Sequence, residues 1–220
     1  MITLYQFKHS AFCLKTRMAL HAKNLKYRVE EISPALGQIE IFKISGQKQL
    51  PVIMDENGQI ISDSSTICEY IDTKNTNNSL FPSDPIHLSQ SKIIEDWADT
   101  TMASVCKQAL IKSALENPQL RAALLPNELP SSIRGIFEKL PFNNLSKISN
   151  VVLSNKSNIE LQKILESLSK SLINKEFIIG ESLTIADISI AAQLSLLKFP
   201  ASSGPILAGE GCQEYINNPY

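Results

Sequence analysis

Gln49-Leu50-Pro51-Val52-Ile53-Met54-Asp55-Glu56-Asn57-Gly58-Gln59-Ile60-Ile61-Ser62-Asp63-Ser64 is the stretch that decides the fold. Two short apolar runs flank Asp55-Glu56-Asn57-Gly58, and Asn-Gly is a turn pair because both residues tolerate positive φ. A β-hairpin is predicted. Ser62-Asp63-Ser64 then offers side-chain oxygens to the unpaired N–H groups that open a helix, which is expected to run through Ile71 with Ile67 and Ile71 on its apolar stripe. Pro51 opens the first strand of the hairpin, where it has no N–H to give a ladder. Either a cis Leu50–Pro51 peptide or a trans proline on an edge strand accommodates it. In the cis form the N–H and C=O of Leu50 turn outward, free to pair with an extended, peptide-like ligand.

Upstream, Ile2 to Phe7 alternates and is rich in β-branched and aromatic residues, so a strand is predicted there. A helical pattern follows, with Ala11, Leu14, Met18 and Ala22 on one face, and Tyr27 to Ile32 reads as a second strand. Two strands flanking one helix imply a right-handed βαβ unit with parallel strands. The first part of the chain therefore reads βαβ, then ββα. Downstream, residues 75–85 are rich in Asn, Ser, Asp and Pro without apolar periodicity, as a linker would be. Beyond it strand signals vanish. Ile86 to Leu115 is one long helical pattern around Trp97, and Ile159 to Ile173 repeats Leu161, Ile164, Leu165, Leu168 and Leu172. Between them Pro118, Pro126, Pro130 and Pro141 require short or interrupted helices. The predicted organisation is an α/β domain over 1–74, a linker over 75–85 and an all-helical domain over 86–220.

The bulk numbers exclude several classes. Of the 220 residues 43% are hydrophobic and 20% charged, an ordinary globular composition rather than that of a disordered chain. A net charge of −1, with both signs mixed along the chain, gives no footprint for nucleic acid or anionic lipid. No signal-like start and no apolar run of membrane-spanning length occur, so a cytoplasmic protein without membrane association is expected. Cys13, Cys68, Cys106 and Cys212 are scattered without metal or disulfide spacing and are expected to be free thiols, with no metal site.

Three local features bear on chemistry. Ser10-Ala11-Phe12-Cys13 lies where the first strand ends and the first helix begins, beside unpaired helix N–H groups that favour an anion. Ser10 is equally suited to a plain N-cap, and Cys13 to a small buried apolar residue. Gln49-Leu50-Pro51-Val52 is the second feature. Asp63-Ser64 is the third, able to grip the carboxylate and ammonium of an amino acid or simply to cap its helix.

In their order and spacing these features resemble the N-terminal domain of the cytosolic glutathione transferases, in the classes with serine or cysteine at the first helix start. Gly180-Glu181-Ser182-Leu183-Thr184-Ile185-Ala186-Asp187 is similar to the family's late helix-start motif, in which Thr184 and Asp187 cap each other and Leu183 staples to Ile188. The resemblance covers about Ile2 to Leu197. It implies a thioredoxin-like glutathione-binding domain followed by a helical bundle, and Ser10 as the catalytic residue that stabilises the glutathione thiolate. It also implies that Gln49, Leu50, cis-Pro51, Asp63 and Ser64 bind glutathione. Glutathione is the implied co-substrate, a small hydrophobic electrophile the second substrate, a homodimer the assembly and detoxification the role. Cys13 supports a competing thiol-exchange chemistry, since Ser-x-x-Cys is similar to a Cys-x-x-Cys motif without its first thiol. A non-catalytic binding protein on the same fold is the third reading. Tyr5 is expected in the core, His9 beside the ligand, and His21 and His87 on ordinary surfaces.

Overall fold

A computed structural model describes residues 1–33, 37–116, 120–121, 124 and 155–197. Cys212, all four prolines of the middle region and everything past 197 lie outside the described residues. The chain divides into two compact units. The first comprises Met1–Asp99 with Ser171–Ala192, and the second Thr100–Lys170 with Gln193–Tyr220.

The first unit is built on a four-stranded mixed sheet in the order β2-β1-β3-β4. β1 (Ile2–Gln6) pairs parallel with β2 (Tyr27–Glu31), Leu4 lying opposite Val29. On its other side β1 pairs antiparallel with β3 (Val52–Met54), which pairs antiparallel with β4 (Ile60–Ser62). The parallel crossover is α1 (Ala11–Ala22), and α3 (Ser64–Lys74) follows the hairpin and packs against α1. This is the thioredoxin-like arrangement predicted. The hairpin loop is longer than a bare Asn-Gly turn: Asp55 accepts the N–H groups of Asn57 and Gln59 on one carboxylate oxygen, and Gly58 supplies the left-handed residue at φ 82°.

One element was not foreseen. α2 (Gly37–Ser45) occupies a stretch whose Ile39-Glu40-Ile41-Phe42 alternation suggests a strand rather than a helix. Only Ile41 is buried, against Ile32 and Val52, and Ile39 and Phe42 stay exposed. The short apolar run yields to a helix that has a single anchor in the core.

The main core joins both sheet and helices: Ile2, Leu4, Leu20, Ile53, Ile67 and Ile71 pack with Leu80, Ile185 and Ile188. α1 is buried nearly all round. Besides Ala11 and Leu14, it hides Cys13, Lys15, Thr16 and Arg17, so the single apolar stripe of the sequence pattern underestimates how much of it is covered.

The polar segment 75–85 is tied down at several points. Lys23, 1% exposed, donates to the carbonyls of Asn77 and Asn78 and pairs with Asp72 at 2.9 Å. Asp72 in turn accepts the N–H of Leu80, and the carbonyl of Leu80 accepts the N–H of Ile185. Buried polar groups here are satisfied in a chain, as they must be.

The predicted helix over 86–115 is present as three consecutive pieces: α4 (Pro85–Trp97), a π-helical turn over Ala98–Met102, and α5 (Ala103–Glu116). Asp84 caps α4 through the N–H groups of Ile86 and His87, with Pro85 at the first position, which needs no donor. α6 (Asn155–Ser171) turns Leu161, Ile164, Leu165 and Leu168 to one half-buried face, as their spacing predicts. α7 (Ile185–Leu194) is buried on nearly every side. Of the reciprocal cap expected here, the half in which Asp187 reaches back to Thr184 is present. Asp187 does the accepting, from the N–H and hydroxyl of Thr184 at 2.9 and 2.8 Å and from the N–H of Ile178 at 2.8 Å. Asp187→Ala strips three hydrogen bonds to a charged group and is expected to destabilise the protein by about 2–4 kcal/mol. A urea titration reads this as a lowered midpoint at unchanged slope.

Candidate functional site

The residues at the two ends of the decisive stretch meet at one cavity. Pro51 precedes β3 and is joined to Leu50 by a cis peptide, one of the two forms the sequence allows. Eleven residues later the chain leaves β4 and turns sharply into α3 at Asp63, whose φ of 73° is left-handed and strained for a residue with a side chain. Its carboxylate is held by the N–H groups of Ser65 and Thr66 at 3.1 and 3.0 Å and by the Thr66 hydroxyl at 3.2 Å. Ser64, buried, opens the helix behind it. The cavity between these segments measures about 490 Å³, the size of a small-molecule site, and Gln49, Leu50, Pro51, Asp63 and Ser64 all line it.

Sequence reasoning missed part of the wall. Phe12 of α1 and Gln47 line the cavity, as do Ser65, Lys92, Glu95, Asp96 and Asp99. Beneath it lies a buried ion cluster. The Lys15 ammonium, 0% exposed, sits 2.6 Å from Glu95, 2.5 Å from Asp99 and 3.0 Å from the Ser65 hydroxyl. Burial works against that charge, but Asp99 and Glu95 outweigh it, and the Lys15 pKa lies above the usual lysine value. Two signals were available in the sequence: a lysine inside an apolar helical run, and two carboxylates four residues apart on one helix face.

Comparison with known proteins places this geometry. A family profile described as "Glutathione S-transferase, N-terminal domain" matches residues 4–79. Residues 4–79 thus carry the glutathione S-transferase N-terminal domain. The chain is 25% identical to mouse glutathione S-transferase omega-1 over 123 residues, 56% of this chain and 51% of the mouse protein. It spans about half the length of the curated relatives it matches. Among solved structures, a glutathione S-transferase from Rhodospirillum rubrum F11 superposes with a TM-score of 0.69 at 20% identity, over 100% of this chain and 83% of that one. A second, from Methylobacillus flagellatus with glutathione bound, gives a TM-score of 0.59 at 18% identity over 90% and 83%.

In this glutathione transferase fold Ser10 is the N-cap of α1. Its hydroxyl oxygen accepts the N–H of Cys13 at 3.4 Å, and the first turn of the helix carries no acidic residue to offset its positive end. Ser10 is half-buried and is not among the residues lining the cavity, although Phe12, two residues on, is. Cys13 needs correction as an attacking thiol. It is 0% exposed, and burial pushes its pKa up to about 11 against the opposing hydrogen bond from Ser10, so at neutral pH it is a protonated thiol in the core. His9 packs edge-on against Phe7. Burial, then the neighbouring Lys8 and Arg17, bring its pKa down to about 4, which leaves a neutral imidazole beside Ser10 at physiological pH. Tyr5 packs in the sheet core with Ile32, Ile41 and Val52, while His21 and His87 lie on exposed surface, all as expected.

Proposed function

We propose that the protein is a glutathione transferase that joins the glutathione thiolate to small hydrophobic electrophiles. The observation that carries this reading is the gathering of Gln49, Leu50, Pro51, Asp63 and Ser64 around one cavity with the first turn of α1 at its edge. Residues 1–74 would hold the tripeptide, 75–85 connect, and 86–220 supply the electrophile's side. A cytoplasmic homodimer with a detoxifying role completes the proposal. Among the described residues no helix is long and apolar enough to cross a membrane.

The chemistry needs an anion. A free thiol near pKa ~8.5 is mostly protonated at neutral pH, and only the thiolate attacks well. A helix N-terminus contributes up to ~2 kcal/mol in partly buried geometry. A hydrogen bond to a charged group adds ~1.5–3 kcal/mol. At ~1.4 kcal/mol per unit, the two together lower the thiol pKa by roughly two to three units, enough to make the thiolate dominant. In the proposed complex Ser10 donates its hydroxyl proton to the sulfur, and its oxygen keeps accepting from Cys13. The backbone of Leu50 pairs with the cysteinyl part, and Asp63 and Ser64 hold the γ-glutamyl end.

Calorimetry with glutathione at millimolar concentration, followed by turnover with an aryl halide, tests the proposal. Saturable heat and a glutathione-dependent rate are expected. Binding without turnover would leave a non-catalytic glutathione-binding protein, and no binding at all would end the reading.

A further inference from the structure

We propose that Lys15 is a positioning residue for the glutathione site, directing the Ser65 hydroxyl to donate to the α-carboxylate at the ligand's γ-glutamyl end. The inference rests on the glutathione reading and adds a role that lies behind the cavity wall rather than on it.

The geometry starts from hydrogen-bond direction. Lys15 is an ammonium with three donors and no acceptor, so its 3.0 Å contact with Ser65 takes a lone pair of the hydroxyl oxygen. The Ser65 proton must then point to another acceptor. Among the described residues that acceptor is Asp99 at 3.5 Å, the outer limit of a hydrogen bond, and its carboxylate oxygen is already engaged by Lys15 at 2.5 Å. Ser65 is partly exposed, lines the cavity and stands in the first turn of α3, beside Ser64 and the strained Asp63. A carboxylate lying at that helix end meets a hydroxyl whose proton is weakly held and whose oxygen is fixed by a buried cation.

Charge acts in the same direction. Without Lys15, Glu95 and Asp99 in the cavity wall lose the ammonium that bridges them, and their joint field repels a ligand carboxylate more strongly. The freed Ser65 hydroxyl also turns to Asp99, now a better acceptor. Both changes fall on the carboxylate of the ligand and spare its ammonium, thiol and glycine end.

The test compares glutathione with 4-aminobutyryl-cysteinylglycine, the same tripeptide without its glutamyl α-carboxylate, by calorimetry on the full chain. The wild type is expected to bind the analogue about 10–100-fold more weakly than glutathione, as loss of a charged hydrogen bond implies. Ser65→Ala and Lys15→Met are each expected to lose about tenfold or more for glutathione while binding the analogue as the wild type does. Lys15→Arg should retain the wild-type preference. Ser65→Ala leaves the buried ion pairs in place, so it decides the matter should Lys15→Met fail to fold. Equal weakening of both ligands in Ser65→Ala, or no change in either, overturns the proposal while the glutathione reading stands. A wild type that binds neither ligand removes that reading, and this inference with it.

Discussion

Ser10→Ala is expected to lower turnover with a reactive aryl halide by about 10–100-fold while leaving glutathione affinity within a few-fold of wild type. The reason is that the hydroxyl acts on the sulfur anion, and a hydrogen bond to a charged group is worth ~1.5–3 kcal/mol. The tripeptide's other contacts in the proposed complex lie at Gln49, Leu50, Asp63 and Ser64, none of which the substitution touches. Ultraviolet titration of the bound thiolate provides the direct reading: its pKa should rise by about one to two units in the variant. The helix end alone remains, which is why activity should fall rather than vanish. Ser10 is also the N-cap of α1, and losing it should cost about 1 kcal/mol of stability. A variant with wild-type turnover and only that stability loss would reduce Ser10 to a cap.

The largest stability effect is expected at Lys15. Lys15→Met leaves Glu95 and Asp99 facing each other at 8% and 14% side-chain exposure without their common cation. Removing one partner of a buried ion pair typically costs ~3–5 kcal/mol, because it leaves a poorly solvated charge uncompensated. Against a usual total of 5–15 kcal/mol, this is a large fraction of the fold's margin. Chemical denaturation should show it, and so should a sharp fall in Tm. Replacing all three groups together with apolar residues of similar volume should recover much of the loss, since an uncharged, well-packed set has no desolvation to offset. Failure of the triple variant to recover would mean that the ammonium also organises α1, α3 and α4 in a way packing cannot replace.

Much of the first unit was legible because its signals are local. Hydrophobic alternation in Ile2–Phe7, the Asp55–Gly58 turn and the Asp63 cap each act within a few residues, and each stands where the sequence places it. The five residues around the cavity were legible for a different reason, through resemblance to a family whose spacing they match. What stayed hidden depends on contacts far apart in the chain. Lys15 reaches partners 50 to 84 residues away, and the apolar run around it does not say which groups it will meet. α2 was hidden by an alternation that suggests a strand, overridden by the seating of Ile41 in the core. Cys13 illustrates the opposite error. Its motif suggests thiol chemistry, but α1 is covered on the side that carries it, and coverage is a property of the fold rather than of the motif.

The polar segment between Asn75 and Pro85 has one consequence for how this chain tolerates change. Composition alone would mark it as a place for insertions, which surface connections accept at little entropic cost. Here Lys23 grips two successive carbonyls, and Leu80 gives one hydrogen bond to Asp72 and takes another from Ile185, so its length works as a gauge block. One added residue before Leu80 would put the grip and the hand-off out of step. Homologous chains and engineered variants with this fold should therefore vary in residue type across 75–85 and keep its count.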